Sequence, residues 1–509
     1  QNYFKQFKFY NLNIGGKTNY KIESIFLENK INTTQYIEKG IEIILKILKE
    51  DDITDEGSHD ILFFITSVNE ARNVCKVINA KSKNPNLFCV EVYAGMDKEL
   101  QEYAQDDILF KKDGKYNRKI VIATNVAESS LTIKGIKYVI DCGYELQSSY
   151  DIKLKGKKLE KTLISHAQAK QRMGRTGRTD PGICYHLYTK DEFENKMKKF
   201  PEPNIRVQDI TEECLKLLNA DKIKNFKVLR KMLKKFIEPP DSKYIDLAYE
   251  NLINFKLIDK KNRINKLGKI VTELSIEPIL GLAVVYSYFY GCLNEVTNIV
   301  SLITASNYKM NDIFKNAEKI LKNDIELRSN KKLYEQELKK LQKKIKVIKK
   351  NFNHPSGDHL SILNLYNEFN ERYINDDYDQ DLYQWCEDNY VIYNTLMKAK
   401  KYARRNKKLY KSIFKKYKLN NLDKDIHNNE NIDNNILKCF HNSSVYIANK
   451  SSNKNGYLMK HFKKIDVQID SNSFLQLNKK LPNKVIYHEL FISKLLKTET
   501  FTINIVSII

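Results

Sequence analysis

Short apolar runs alternate with helical patterns between residues 60 and 145. Residues 60–65, 119–123 and 138–141 have the length and composition of buried parallel strands. Residues 69–79, which follow the first run, show helical spacing of their apolar positions. This alternation predicts an α/β domain built on a parallel sheet.

The pattern changes further along the chain. Residues 205–420 show long helical periodicities with few glycines, which predicts an all-helical region. Residues 421–435 are rich in Asn and Asp and are expected to form a linker. Alternating apolar positions at 444–448 and 465–469 then predict a small β domain.

One helical segment, residues 331–350, is strongly basic. Lys fills most positions between five apolar residues that repeat at spacings of four and three: Tyr334, Leu338, Leu341, Ile345 and Ile348. This pattern predicts an amphipathic helix. A coiled-coil partner is one interpretation, but the repeat is short, so we favour a helix packed on its own domain.

The composition is basic overall. The 87 Lys and Arg exceed the 63 Asp and Glu and give a formal net charge of +24. Such an excess suits a polyanionic partner, because each neutralised phosphate releases counterions. The chain is also rich in Lys, Asn and Ile, and we attribute roughly half of the excess to that compositional bias. Charge alone therefore does not identify a nucleic-acid-binding protein.

The eight cysteines are scattered along the chain. None forms a C-x-x-C pair, so we expect no zinc site. A large chain that is expected to be poor in disulfides fits a reducing compartment. We therefore expect an intracellular protein, with nuclear and cytoplasmic locations both open. No apolar stretch is long enough to span a bilayer, and we expect no membrane partner.

The strongest chemical signal is the sequence Q-R-M-G-R-T-G-R. Its guanidiniums, Arg172, Arg175 and Arg178, stand at a spacing of three, at a predicted loop-to-helix junction. Arginine offers a fixed, charged fork to phosphate oxygens. Gly174 and Gly177 would let the backbone approach a ligand. The alternative is a basic surface turn, which the regular frame of arginines and glycines disfavours.

A second signal, A-T-N-V-A-E-S-S-L-T-I at residues 123–133, directly follows a predicted strand. Loops at the carboxyl ends of parallel strands are where such sheets bind ligands. Thr and Asn side chains can hold a sugar-phosphate backbone without reading bases. Alone, this segment fits an ordinary strand-to-helix loop with a capping Ser equally well.

Together these segments resemble motifs V and VI of the DEAH-box RNA helicases, a branch of superfamily 2. Further segments resemble the same family in collinear order. They are residues 60–66 (motif IV), Pro201-Glu202 with Arg206, residues 236–240 and 265–269, residues 274–278 and 357–360, Trp385-Cys386 with Asn389-Tyr390, and residues 485–490.

The resemblance implies a multidomain fold of α/β, α and β parts. The implied parts are a RecA-like parallel sheet domain, a winged helix, a helical ratchet bundle and an OB-fold β-barrel. Their expected boundaries are 1–20 for the remnant of a first RecA-like domain and its linker, 21–200 for the second RecA-like domain, 201–270 for the winged helix, 271–420 for the ratchet bundle and 421–509 for the OB-fold.

The resemblance also implies an ATP-dependent RNA helicase, or ribonucleoprotein-remodelling motor, that translocates on single-stranded RNA. ATP and Mg²⁺ are the implied cofactors, and the Mg²⁺ ligands are expected on the first RecA-like domain. The chain carries neither a P-loop nor a DEAH box. Residues 15–18, G-G-K-T, do not form a P-loop, because Asn11 stands where that frame requires the first glycine. We therefore expect it to be inactive alone.

Two alternative functions stay open. The first is an RNA-binding scaffold without its own ATPase activity, and the second is a motor that accepts DNA. Single-stranded RNA is the expected partner, and the family also implies a glycine-patch adaptor protein.

The resemblance assigns roles residue by residue. Gln171, Arg175 and Arg178 are the expected catalytic residues, acting on the γ-phosphate by positioning and charge. Arg172 is expected to be structural. Nucleotide contacts are expected from Thr132, Gly174 and Gly177, and RNA contacts from Thr66, Thr124, Asn125, Lys155, Lys157 and Lys158.

The three lysines lie in residues 144–163, where a Gly-centred turn predicts a β-hairpin. Two positions depart from the family. Lys134 replaces an acidic residue that contacts the ribose, and Gln105 replaces the aromatic residue that stacks on the base, with Tyr103 and Phe110 nearby.

Overall fold

The computed structural model describes residues 20–51, 59–82, 84–94, 96, 98–106, 108–111, 114–129, 131–321, 331–375, 379–419, 431–443, 446–452, 456–494 and 499–508. The chain divides into two compact units. The first contains residues 1–148 and 159–203, and the second contains residues 149–158 and 204–509.

A six-stranded sheet forms the centre of the first unit. Its strands are β1 (Ile22–Leu27), β2 (Asp60–Phe64), β3 (Leu87–Val92), β4 (Arg118–Ala123), β5 (Ile136–Asp141) and β8 (Gly182–Thr189). Their order is β1-β8-β5-β2-β4-β3, and every recorded pairing is parallel. Every residue of β2 and β4 is buried, as expected for central strands covered on both faces. The predicted α/β fold is therefore confirmed.

Helices cover both faces of this sheet. They are α1 (Tyr36–Glu50), α2 (Val68–Ser82), α3 (Lys98–Gln105), α4 (Val126–Ser129) and α5 (His166–Met173). One apolar cluster joins α1 and α2 to the sheet through residues such as Ile44 and Val74. Another, on residues such as Ala104 and Ala127, includes α3 and α4. A disulfide joins Cys75 on α2 to Cys89 on β3, a pair that the sequence analysis did not anticipate.

Helix α5 corrects one local prediction. It begins after Ser165, whose hydroxyl accepts a hydrogen bond from the backbone N–H of Gln168 in a capping box. It ends at Met173, so the arginine-glycine motif lies at a helix-to-loop junction. The predicted loop-to-helix junction is wrong, because the cap that starts the helix lies six residues before Gln171.

A β-hairpin passes from the first unit into the second. Its strands are β6 (Tyr144–Asp151) and β7 (Gly156–Leu163), which confirms the predicted hairpin. Residues 149–158, which include the turn, belong to the second unit. A side chain at Gly156 would place its Cβ 2.8 Å from the carbonyl oxygen of Leu490, so only glycine fits this close approach.

Helices make up the larger part of the second unit, as predicted for residues 205–420. In the described residues they are Thr211–Leu218, Phe226–Leu233, Ser242–Asn254, Lys266–Leu274, Pro278–Phe289, Leu293–Ala305, Ala317–Leu321, Lys331–Lys349, Asp358–Asn375, Asp379–Asp388, Tyr393–Lys416 and Ile432–Ser443. They share one continuous apolar core with the strands that follow.

The last of these helices corrects the predicted linker. Residues 420–430 lie outside the described residues, but residues 432–435 begin the helix Ile432–Ser443. The Asn431 side chain accepts a hydrogen bond from the N–H of Asp433 at the start of the helix. Ile436, Cys439 and Phe440 are buried at helical spacing. Composition indicated a linker here, but packing of this apolar face forms a helix.

The second unit ends in a closed β-barrel, which confirms the predicted β domain. Its strands are β9 (Ile447–Lys450), β10 (Gly456–Met459), β11 (Phe462–Ile469), β12 (Lys484–Lys494) and β13 (Thr500–Ile508). The hydrogen-bonded order β13-β11-β10-β9-β12 closes because β12 also pairs with β13. The hairpin strand β7 joins the same sheet beside β12.

No single helix among the described residues is long and apolar enough to cross a membrane. One bent pair, Lys266–Leu274 with Pro278–Phe289, passes that criterion of length and composition when its two helices are taken together.

Candidate functional site

Polar side chains gather where β5, β2 and β4 end at one edge of the sheet. Phe64 of β2 lies in register with Ala123 of β4 and with Asp141 of β5. The predicted RNA contacts Thr66 and Thr124 follow β2 and β4, so the fold brings their two loops to neighbouring strand ends. This is the edge at which parallel α/β sheets bind ligands.

Thr124 and Asn125 lie at the accessible surface of this edge. Thr124 is half-buried, and its N–H donates to the carbonyl oxygen of Val92, 3.0 Å away. Asn125 is exposed, and its carbonyl accepts from Glu128 in the following helix.

Thr66 is buried in a polar network. Its hydroxyl donates to Glu70 Oε2 at 2.6 Å, and its N–H donates to the same oxygen at 3.0 Å. The other carboxylate oxygen of Glu70 accepts from Lys161 Nζ at 2.9 Å, and this ammonium also donates to the hydroxyl of Tyr36 at 2.8 Å. The Thr66 hydroxyl could donate to RNA only if Glu70 released its hydrogen.

The ionisation of this network matches its hydrogen bonds. Burial opposes the charge of Glu70, but hydrogen bonds from Thr66 and Lys161 lower the pKa of its carboxyl below the ordinary value. Burial raises the pKa of Tyr36 well above its ordinary value, so this phenol stays neutral. Lys161 therefore serves as the counter-ion of Glu70 within the first unit.

Arg172 joins the two motifs in the interior. Its side chain is fully buried, with Nη2 2.6 Å from Glu128 Oε1 and Nη1 2.8 Å from Asp141 Oδ1. Nη1 also donates to the carbonyl of Tyr144. Burial opposes the charge, but Asp141 and Glu128 overcome it and raise the pKa of Arg172. The expectation that Arg172 is structural fits this geometry.

Arg175 braces the same loop from the other motif. Its guanidinium donates to the backbone carbonyls of Leu131 and Glu128. The Nε atom is buried and has no hydrogen-bond acceptor among the residues that the structure describes. Burial, together with the positive charge of Arg178, lowers the pKa of Arg175. Two of its donor groups are thus already used by the protein.

Gln171 and Arg178 are the accessible members of the predicted catalytic set. Both are exposed, and Arg178 Nε donates to the carbonyl of Gly174 at 3.2 Å. Gly177 has a φ of +70°, and a Cβ there would lie 2.5 Å from Ile22 Cγ1. Packing against β1 therefore accounts for the glycine at 177 without invoking a ligand.

The expected contacts to the base and ribose lie close together. Thr132 is exposed in the loop before β5, and the N–H of Lys134 donates to the carbonyl of Gln105 at 3.0 Å. Lys134 Nζ lies 3.8 Å from Asp106. Phe110 is buried against Phe88 and cannot stack on a base in this conformation.

Two of the predicted hairpin lysines lie beside acidic groups of the second unit. Lys157 Nζ is 2.5 Å from Glu489 Oε1 and lies over the ring of Tyr308. Lys155, at φ +52°, and Lys157 both line a cavity of about 430 Å³ that also contains Asp209 and Glu489. Lys158 also interacts with another group of the protein.

A histidine pair in the second unit was not predicted from the sequence. His359 Nε2 and His488 Nε2 are 2.7 Å apart, and His359 Nδ1 is 2.7 Å from the hydroxyl of Ser507. Burial lowers the pKa of His488 to about 4 and that of His359 well below its ordinary value. The pair is neutral and links the helix Asp358–Asn375 to the barrel.

The residues present fit one side of a nucleoside triphosphate. The accessible Gln171 amide and Arg178 guanidinium supply a neutral and a charged donor for phosphate oxygens. Among the described residues, no group of three or more His, Cys, Asp or Glu side chains is placed to hold a metal ion.

Comparisons with known proteins agree with these features. Residues 39–180 match the family model of the helicase conserved C-terminal domain. The chain is 36% identical over 373 residues, 73% of its length, to a protein of Acanthamoeba polyphaga mimivirus named as the ATP-dependent RNA helicase L540. It is 32% identical over 343 residues, 66% of its length, to the pre-mRNA-splicing factor ATP-dependent RNA helicase prp22 of Schizosaccharomyces pombe.

The matched region is only part of each relative. It covers 50% of the mimivirus protein and 25% of the yeast protein. The residues that match the helicase domain model include both motifs at the edge of the sheet, because that match spans the segment from α1 to the loop after Gly177.

Proposed function

We propose that this chain, which is similar in the order of its motifs to the DEAH-box RNA helicases of superfamily 2, supplies the second half of an ATP-driven motor that translocates on single-stranded RNA. The observation that carries this proposal is the junction of the two motifs. Arg172 and Arg175 bind the loop that follows β4, and the same segment leaves Gln171 and Arg178 exposed. A change at the phosphate side is thereby mechanically connected to a loop that carries Thr124 and Asn125.

In this proposal Arg178 neutralises charge that develops on a transferring phosphoryl group, and Gln171 orients the attacking water. ATP with Mg²⁺ supplies the phosphoryl chemistry when bound. The P-loop and the Mg²⁺ ligands come from outside these 509 residues, whose sequence contains no P-loop frame. Arg175 contributes by holding the loop at Leu131 in place.

The remaining assignments belong to the same proposal. Residues 201–270, 271–420 and 421–509 act as winged helix, ratchet bundle and OB-fold, and a glycine-patch adaptor stays a predicted partner. Thr124, Asn125 and Lys155 contact the RNA backbone. Thr66 and Lys157 act through the internal partners that the structure gives them, and Lys158 remains a predicted contact.

The test uses a longer protein that contains this chain together with a P-loop domain. Arg178→Ala should lower RNA-stimulated ATP turnover by about 10³-fold or more, the scale of an arginine finger, while RNA affinity stays within about twofold. The matched control is Lys190→Ala, which removes an exposed cation of the same unit. Equal losses of turnover and RNA affinity would contradict the assignment of Arg178 to the phosphate side.

A scaffold without ATPase activity is the competing function. It predicts that RNA binding by the longer protein is indifferent to nucleotide and that Arg178→Ala has no effect on any measured activity. Turnover by the wild-type longer protein that depends on Arg178 excludes it.

A further inference from the structure

The helix Tyr393–Lys416 has an unusual charge composition. Its 24 residues include ten Lys or Arg and no Asp or Glu. The whole chain has 87 basic and 63 acidic residues. At the composition of the whole chain, a segment of this length would contain about three acidic residues, so this helix is more basic than the overall bias predicts.

Eight of the ten cations lie on one exposed face of this helix. The opposite face is buried against the helix Leu293–Ala305 through residues such as Leu396, Ala403 and Tyr410. Every exposed position of the helix is polar: Asn394, Lys398, Lys401, Arg404, Arg405, Lys408, Lys411, Ser412, Lys415 and Lys416. We call the eight cations of this set the basic face.

Little negative charge compensates the basic face. Lys416 pairs with Glu273 at 2.8 Å. The other seven form no ion pair with a carboxylate among the residues that the structure describes. The half-buried Lys400 beside this face shows the effect of the neighbouring positive charges: burial lowers the pKa of Lys400, and Lys407 and Arg404 lower it further.

Two ordinary explanations leave most of the face unexplained. The helix dipole favours cations in the last turn, which accounts for Lys415 and Lys416 but not for Lys401 or Arg404 in the middle of the helix. A helix that is basic only because its surface is solvated should resemble the helix Lys331–Lys349. That helix is also basic, but it carries acidic residues and exposes apolar ones such as Val347.

We propose that the basic face binds the phosphate backbone of a nucleic acid, as a second RNA-contacting surface that lies in the second unit. The inference rests on the proposed function, because it extends the RNA contacts of that motor. From Lys401 to Lys415 the helix rises about 21 Å, and a cation projects from every turn along it.

The composition of the face favours RNA over a protein partner. Protein interfaces are centred on aromatic and apolar anchors. The exposed positions of this helix include none. A surface that offers only ammonium and guanidinium groups recognises a polyanion through charge, with release of counterions from the phosphates.

The test replaces Lys401, Arg404, Lys408 and Lys411 with Gln in the full chain. Gln keeps helix propensity close to that of Lys and Arg, and circular dichroism checks that the helix content is unchanged. Binding is followed by fluorescence anisotropy with an unstructured single-stranded 20-mer RNA and with a 20-base-pair RNA duplex, over a salt titration.

A matched variant replaces four exposed lysines of the other basic helix with Gln: Lys332, Lys339, Lys343 and Lys346. Both variants lose the same net charge. We expect the basic-face variant to bind single-stranded RNA at least tenfold more weakly at 100 mM salt, with a salt slope reduced by about 0.7 for each phosphate that the variant no longer neutralises. The matched variant should change by less than threefold.

The outcomes separate this inference from the proposed function. If the wild-type chain fails to bind either RNA probe, the proposed function fails. If the wild type binds and the basic-face variant binds equally well, only this inference fails. Equal weakening of the two variants would show a diffuse field and also overturn it, as would displacement of RNA by poly-glutamate as efficiently as by unlabelled RNA. A loss confined to the duplex probe would also overturn it, because the face would then not hold the single strand along which the proposed motor moves.

Discussion

Replacing Arg172 with Met should loosen the edge of the sheet where the two helicase motifs meet. In the wild type this guanidinium is wholly buried between Asp141, which is 0% exposed, and Glu128, which is 9% exposed. Met keeps the apolar stem but lacks the guanidinium, so the main loss is the counter-charge of two buried carboxylates.

The expected cost follows from that loss. Removing one partner of a buried ion pair destabilises a protein by about 3–5 kcal/mol, because the other charge stays buried without compensation. Glu128 can escape by taking up a proton. Burial already raises the pKa of Glu128, and loss of Arg172 should raise it further.

This escape gives the prediction a pH dependence with a definite sign. A carboxyl whose folded-state pKa lies above its unfolded value destabilises the fold most at high pH, and the penalty falls as pH drops through the folded pKa. The destabilisation caused by Arg172→Met should therefore be larger at pH 8 than at pH 5.

Native-state hydrogen exchange is the appropriate assay. The only tryptophan, Trp385, lies in the second unit, so its fluorescence does not report on this site. Exchange of the backbone amides in β5 measures the local free energy of opening. The control is Arg178→Met, an exposed arginine whose loss should cost no more than about 0.5 kcal/mol. A loss below about 1 kcal/mol in Arg172→Met, or one independent of pH, would refute the reasoning.

Two further predictions concern single residues. Gly177→Ala places a side chain at φ +70° and against Ile22, so it should lower the free energy of opening, measured by hydrogen exchange of β1 amides, by about 1–3 kcal/mol. Adding Ile22→Ala should recover part of that loss, and no recovery would contradict the packing argument. Because burial lowers the pKa of His488 to about 4, the second unit should lose stability as pH falls from about 6.5 towards 4. Trp385 fluorescence during urea unfolding measures this loss, and His488→Gln should flatten that part of the profile; an unchanged slope would show that other groups control it.

The sheet, the hairpin and the barrel were predictable because their signals are local. A short apolar run such as residues 60–65 has the length of a buried strand and is too short for most helices. A turn predicted around Gly156 indicated a hairpin through short-range geometry, although the turn itself comprises residues 152–155 and Gly156 begins β7. The collinear motifs then indicated the family, since motif order survives where composition is biased.

The features that the sequence did not reveal depend on contacts between distant residues. His359 and His488 are 129 residues apart, and nothing in either segment indicates that their rings meet. Thr66 stands at a motif position, but only the structure shows that Glu70 and Lys161 surround it. The basic helix Tyr393–Lys416 was overlooked because a lysine-rich chain hides a local excess of charge until burial separates its two faces.

The hairpin has a consequence for how the protein can be taken apart. The chain enters the second unit at residue 149, leaves it at 158 and enters it again at 204. The backbone thus passes between the units three times. A protease that cuts one of these passages produces two polypeptides that stay together, because each unit is still held by packing among its own pieces. Separate expression of either unit would require a redesigned connectivity, with a linker in place of the excised segment.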